Sequence, residues 1–296
     1  MSATNERASR VRSKLIDRVA RVDLRVRDVD AALLFYRDVV GLQVAEQDSA
    51  HAQLRSPGGP VLLTLDSTGV TAPADPRATG LFHTAIRLPT RTTLGEALAR
   101  LAEAGLEIGA GDHLVSEALY VDDRDGNGVE LYWDRPEDQW PPPTSDMMVP
   151  MATLPVDLEG LLAEGSGRAA IEQAAPTGTD VGHVHLQVSD IDATRRFYGE
   201  EMGLDVTASL GASAGFFSSN GYHHNIGANT WRSRGSKLAG RERAGLERVV
   251  LAVKDPEELD GLRDRMARHG REASGEDGGT VVVRDPDGIE LNFVSE

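Results

Sequence analysis

The chain has 296 residues, a formal charge of −16 at neutral pH and no cysteine. That length is enough for two domains with real cores. The charge disfavours nucleic acid and anionic membrane surfaces as partners, and the missing thiols exclude disulfides and thiolate chemistry.

Residues 1–17 carry charges but no apolar h-region, so a polar arm or short helix is expected rather than a secretory signal. No apolar run approaches the roughly 18–20 residues that a membrane span needs. A cytoplasmic protein is expected. Residues 22–44, VDLRVRDVDAALLFYRDVVGLQV, return without a gap as 184–206, VHLQVSDIDATRRFYGEEMGLDV. Each copy reads as a strand, an Asp turn, a helix carrying Phe-Tyr, and Gly-Leu-x-Val. Asp28 and Asp190 stand where a helix start needs a capping acceptor. Gly41 and Gly203 stand where a helix end needs a left-handed residue.

A second unit also occurs twice. Residues 82–109 read as a strand, a helix with Leu94, Leu98 and Leu101 on one face, then Gly105. Residues 248–270 repeat this with Leu259, Leu262 and Met266, then Gly270. Each unit closes on a polar turn and a strand with one glutamate, RDGNGVELYW (124–133) and RDPDGIELNF (284–293). Alternation puts Val129, Leu131 and Trp133 on one face and Glu130 on the other, so periodicity alone allows Glu130 to face water.

The order is thus A-B-A-B, four βαβββ modules of an α+β fold. An arm at 1–17, an N-terminal domain at 18–135 and a C-terminal domain at 181–296 are expected. A linker at 136–180, with Trp140-Pro-Pro-Pro143 and a short helix at 158–165, would join the two domains. Open βαβββ sheets pack in pairs as half-barrels, giving two clefts.

The stretches GLFHTAIRLP, GDHLVSEALYVDDRDGNGVELYWDRP, GHVHLQVSDIDATRRFYGEEMGL and GYHHNIGANTW carry a resemblance. Together they resemble the vicinal oxygen chelate superfamily of glyoxalase I and the extradiol dioxygenases, and within it the two-domain catechol 2,3-dioxygenases. The resemblance covers residues 18–295 and places metal ligands on first and last strands of paired modules. The first-strand positions here are Arg21, His83, His183 and Arg248; the last-strand acids are Glu130 and Glu290. Only pairing module two with three collects His83, His183 and Glu130, a facial triad suited to Fe(II), with Mn(II) as the other candidate. Modules one and four would then enclose Arg21, Arg248 and Glu290, without a metal. His185 shares the strand face of His183 and competes with it; the repeat favours His183, which aligns with Arg21.

The resemblance further implies an acid–base histidine from Tyr222-His223-His224-Asn225. On a strand only one of His223 and His224 can reach the substrate, and His224 is favoured. Surface polarity is the competing explanation for the other. Relatives often carry a third histidine where this chain has Asn225. Tyr120, ten residues before Glu130, matches a tyrosine beside the ligands, and His113 is a further pocket residue. His51 and His269 read as solvated. The implied activity is extradiol cleavage of a small aromatic diol with dioxygen, in aromatic hydrocarbon catabolism, by a homo-oligomer with no nucleic-acid or membrane partner. A glyoxalase-type isomerase or lyase and a metal-free binding module are the competing readings.

Overall fold

A computed structural model describes residues 3–165, 174–275 and 279–295; part of the expected linker, 166–173, lies outside them. A short helix α1 (Ala3–Ala8) leads into four modules. The first is β1 (Arg18–Arg25), α2 (Val29–Tyr36), β2 (Gln43–Gln47), β3 (His51–Arg55) and β4 (Val61–Asp66). The second is β5 (Gly80–Arg87), α3 (Arg91–Glu103), β6 (Gly109–Asp112), β7 (Ser116–Asp122) and β8 (Gly128–Asp134). Helix α4 (Leu158–Glu164) stands where the sequence predicts one. The third module is β9 (Asp180–Gln187), α5 (Ile191–Arg195), β10 (Asp205–Leu210), β11 (Ala214–Ser218) and β12 (Ile226–Asn229). The fourth is β13 (Gly245–Val253), α6 (Pro256–Arg268), β14 (Ala273–Ser274), β15 (Thr280–Arg284) and β16 (Glu290–Ser295).

Local chemistry sets these boundaries. The Asp28 carboxylate accepts the Ala31 N–H, and Asp190 accepts those of Asp192 and Ala193, so both helices are capped as expected. Gly41 and Gly203 end the segments at φ of 93° and 85°, where a Cβ would be strained.

The strands form two eight-stranded sheets, in the orders β14-β15-β16-β13-β1-β4-β3-β2 and β10-β11-β12-β9-β5-β8-β7-β6. Module one therefore joins module four, and module two joins module three, as the ligand positions predict. In each sheet the two first strands meet antiparallel at the centre, β1 with β13 and β5 with β9. Val22 and Leu24 of β1 share one apolar core with Ile86, Leu131, Val184 and Leu186 of the other sheet. The other face of each sheet is concave and carries the charged and histidine side chains beside small apolar clusters, Ala20, Val250 and Ala252 in one sheet and Ala85, Ala118 and Tyr132 in the other.

The tyrosine of each Phe-Tyr pair ties the sheets together. Tyr36, at the end of α2, donates to Asp123 at 3.0 Å, and Tyr198, in a π-helical turn (Arg196–Glu201) that continues α5, donates to Asp285 at 3.2 Å, each bond joining the helical segment of one module to the last hairpin of the next. Burial pushes the Asp285 carboxyl up to about 7, with the nearby Asp287 adding to it and the Ile289 N–H opposing. A raised carboxyl makes the folded state bind the extra proton, so stability falls as pH climbs from about 4 to about 7 and levels off above. Asp285→Asn keeps an acceptor oxygen and removes that cost. Its melting temperature should exceed wild type at pH 8 and vary less between pH 5 and 8, as calorimetry would show.

Candidate functional site

The concave face of the sheet shared by modules two and three receives every second residue of its central strands. From β5 comes His83, from β7 Tyr120, from β8 Glu130, and from β9 His183 and His185; all line one cavity of about 750 Å³. Their neighbours Val129, Leu131, Val184 and Leu186 lie in the core. Alternation does turn Glu130 away from the core, but towards the cavity and not into water: it is 2% exposed.

His83, Glu130 and His183 each offer one ligand atom, all within 4.8 Å of one another. The Glu130 Oε2 lies 2.8 Å from His83 Nε2 and 3.1 Å from His183 Nε2. His183 makes an aligned hydrogen bond there, whereas His83 Nε2 is buried without one. One carboxylate oxygen thus gathers two imidazole nitrogens and satisfies the directional need of only one. A cation would satisfy all three, so the set fits a metal. Burial holds the His183 ring down to about 4 although Glu130 pulls it upward. Burial also works to raise the Glu130 carboxyl, and the His183 and His83 rings overcome it, leaving Glu130 well below the usual carboxylate range. A neutral His183 ring beside an ionised Glu130 is the protonation state that ligands require.

His185 stays outside this set. It is buried in the same cavity wall, its ring centroid 5.0 Å from that of His83, and its Nε2 has no partner. A second group, His183, His223 and His224, also lies within ligand range. There the shortest approach, His223 Nδ1 to His224 Nδ1 at 2.7 Å, is a hydrogen bond, and the other His223 nitrogen binds Asp134 at 2.9 Å. Those nitrogens are already committed.

His223 and His224 lie in the loop between β11 and β12, not on a strand, so the alternation argument does not apply to them. They still part: His224 lines the cavity, and His223 turns to Asp134. Surface polarity fails as an account of His223, which is 1% exposed. Asp134 lies four residues after Glu130 on the same face of β8. It accepts from Tyr222 at 2.7 Å and Arg87 at 3.2 Å, and Arg87 reaches on to Asp180. Burial would raise Asp134, but His223, Tyr222 and Arg87 hold it low.

A carboxylate can only accept, so His223 Nε2 carries a proton towards Asp134. In a neutral ring its Nδ1 is then a bare acceptor, and it takes the proton of His224 Nδ1. His224 Nε2 is left as the basic nitrogen. Burial holds the His224 ring well below its ordinary value, so the ring is neutral and free to accept.

His113 lies in the turn between β6 and β7, not on a strand, and links the Ala152 carbonyl (2.8 Å) to the Tyr120 hydroxyl (2.6 Å). Burial and then Glu130 push the Tyr120 phenol up, so it keeps its proton. Met151, Ala152 and Thr153, from the stretch between the modules, form part of the cavity wall; their composition gives no sign of this. Asp134 had a signal, the Glu130 alternation, that extends two steps along β8.

The opposite cleft has different chemistry. Arg21 pairs with Asp23 at 2.6 Å, Arg248 reaches Asp23 at 3.3 Å and Glu290 at 3.7 Å, and Arg284 also pairs with Glu290. Glu290 is thus an ion-pair partner at the position of Glu130. His51 and His269 are exposed, as expected.

Comparison with known proteins agrees with this geometry. The family model of the Glyoxalase/Bleomycin resistance protein/Dioxygenase superfamily matches residues 16–131 and 180–293. A catechol-2,3-dioxygenase of Bacillus subtilis (strain 168) is 40% identical over 274 residues, 92% of this chain and 95% of that protein. Among solved structures, the cppA protein of Streptococcus pneumoniae TIGR4 superposes with a TM-score of 0.58 at 10% identity, covering 95% of this chain and 100% of that one. Glyoxalase I of Zea mays gives 0.56 at 14%, covering 94% and 92%. The chain belongs to the Glyoxalase/Bleomycin resistance protein/Dioxygenase superfamily, with its candidate metal ligands in the half-barrel that joins its two halves.

Proposed function

We propose that the protein is a non-haem Fe(II) extradiol dioxygenase that cleaves a catechol-type diol beside its two hydroxyls. The observation that carries this is one cavity holding His83, His183 and Glu130 together with His224, whose basic nitrogen is set by a hydrogen-bonded chain. The 40% identical catechol-2,3-dioxygenase supports it. Both oxygen atoms of dioxygen enter the product, so no external reductant is needed.

His83, His183 and Glu130 would hold the ion; Mn(II) suits the same ligands. When bound, it supplies open positions for diol and dioxygen and a path between a closed-shell ring and a triplet oxidant. His224 Nε2 takes a hydroxyl proton as the diol binds, and later returns one as general acid. His223 and Asp134 keep that nitrogen basic and steady the ring once it is charged. Tyr120 stays a neutral hydroxyl beside Glu130, anchored by His113. Of the acidic residues described, only Glu130 joins a candidate ligand group, which favours this reading over a glyoxalase-type isomerase that wants a second carboxylate. The domain division at 18–135 and 181–296, a cytoplasmic location and a homo-oligomer belong to the same proposal.

His224→Ala separates binding from chemistry. It should keep its metal, measured by elemental analysis, and lose about 100-fold or more in kcat. Loss of metal together with turnover would make His224 a ligand and overturn the division of roles.

A further inference from the structure

The cavity is much larger than a single diol ring requires. About 750 Å³ is the size of site that encloses drug-sized molecules. The triad and His224 are grouped in one part of its wall, the His183 ring lying 4.1 Å from that of His224 and 5.7 Å from that of His83 between centroids. The part beyond is walled by Phe82, His185, Phe216 and Trp231, with Leu210 beside them. Their rings contact one another: Phe82 lies 5.2 Å from His185 and 5.4 Å from Trp231 between centroids, and His185 lies 5.8 Å from Phe216. Trp231 is 51% exposed and Leu210 is 40% exposed. Two large apolar side chains at the mouth of a cavity are costly to leave wet unless something covers them.

The His185 ring is itself a built feature. Gly227 packs against it so closely that a Cβ would sit 2.9 Å from Nδ1. Its Nε2 is buried without a partner. A buried polar atom of that kind waits for a water or for a neutral polar atom of an occupant.

Charge at the mouth narrows the choice further. Glu107, Asp122 and Arg232 line it, and Asp122 feels both of the others. Two acids against one base leave the mouth negative. A carboxylate on the substrate would meet net repulsion there, since Glu107 and Asp122 outnumber Arg232.

We infer that the substrate is an uncharged catechol bearing a bulky apolar or aromatic substituent, which lies along Phe82, His185, Phe216 and Trp231, and that the site selects against carboxylated catechols. This rests on the dioxygenase reading and adds the class of diol. The substituent stacks on ring faces and covers Trp231 while the two hydroxyls reach the triad.

The test compares kcat/KM of the iron-loaded protein for catechol, 3-phenylcatechol and 4-phenylcatechol, and for 3,4-dihydroxyphenylacetate against its methyl ester. At least one phenyl isomer should exceed catechol by roughly 10- to 100-fold, the return expected from burying one aromatic ring. The ester should exceed the free acid by about tenfold or more at low salt and by less at high salt. Trp231→Ala should shrink the phenyl-to-catechol ratio towards one. Calorimetry on the metal-free protein under argon gives a second readout: the preferred phenylcatechol should bind at least about tenfold more tightly than catechol. Cleavage of catechol with no phenyl preference, or with the free acid preferred, would overturn the inference and leave the dioxygenase reading standing. No cleavage of any diol would remove that reading and this inference together.

Discussion

Asp134→Asn should retain its metal and lose roughly 100-fold or more in kcat, the range expected when a general base is withdrawn. Asp134 touches neither the triad nor the cavity; it acts through His223, 2.9 Å away, which in turn meets His224 at 2.7 Å. An asparagine can present its N–H₂ to His223 Nε2. His223 would then carry its proton on Nδ1 and donate it to His224 Nδ1. His224 Nε2 would become the protonated nitrogen, and the base would be gone with no ligand disturbed. Asp134 and His223 are thus positioning residues. A purely structural role would show as lost protein or lost metal. A tautomer role shows as a fall in kcat at constant metal content, with KM little changed. An unchanged kcat in a metal-loaded Asp134→Asn protein would contradict it.

Glu130→Gln should abolish tight metal binding, weakening it by at least about 100-fold, since outer-shell changes alone cost 10–100-fold. Glutamine keeps the shape of the side chain but removes the only negative charge in a triad that is 2% to 5% exposed. A dication among two imidazole nitrogens and an amide has no anionic partner in a medium that punishes unpaired charge. His83→Ala should behave alike, because its Nε2 is the donor least satisfied without an ion. Both variants should stay folded by circular dichroism. The matched change in the other sheet, Glu290→Gln, should leave metal content untouched, as Glu290 pairs with Arg248 and Arg284. Metal retained by Glu130→Gln would move the site elsewhere, with the His183, His223 and His224 group first in line.

The sequence carried the modules and their pairing because repeats have strong local signals. Asp28 and Asp190 cap helices, Gly41 and Gly203 end them, and apolar periodicities fix the helix faces. The pairing itself came from the ligand positions that the family resemblance implies, since only modules two and three then bring two histidines and a glutamate together. The direction of Glu130 was half legible. Period two says that it leaves the core, but not whether the far side is water or a cavity. His223 and His224 were harder, because they lie in a loop where no period applies; their roles follow from contacts with Asp134 and with the cavity. The wall at Met151–Thr153 was not legible, as a Pro-rich connecting stretch looks the same whether it hangs in solvent or lines a site. Trp231 and Phe216 were missed for a similar reason: an aromatic residue in a strand or turn is core by default, and only the assembled half-barrel shows which ones face inward.

Dioxygen uptake tests the proposed dioxygenase activity itself. The protein would be purified without oxygen, loaded with Fe(II) and given catechol, with the electrode and the visible spectrum recorded together. One dioxygen should be consumed per diol with a yellow ring-cleavage product, both absent without iron. Bound iron with no uptake across a panel of catechols and hydroquinones would contradict it.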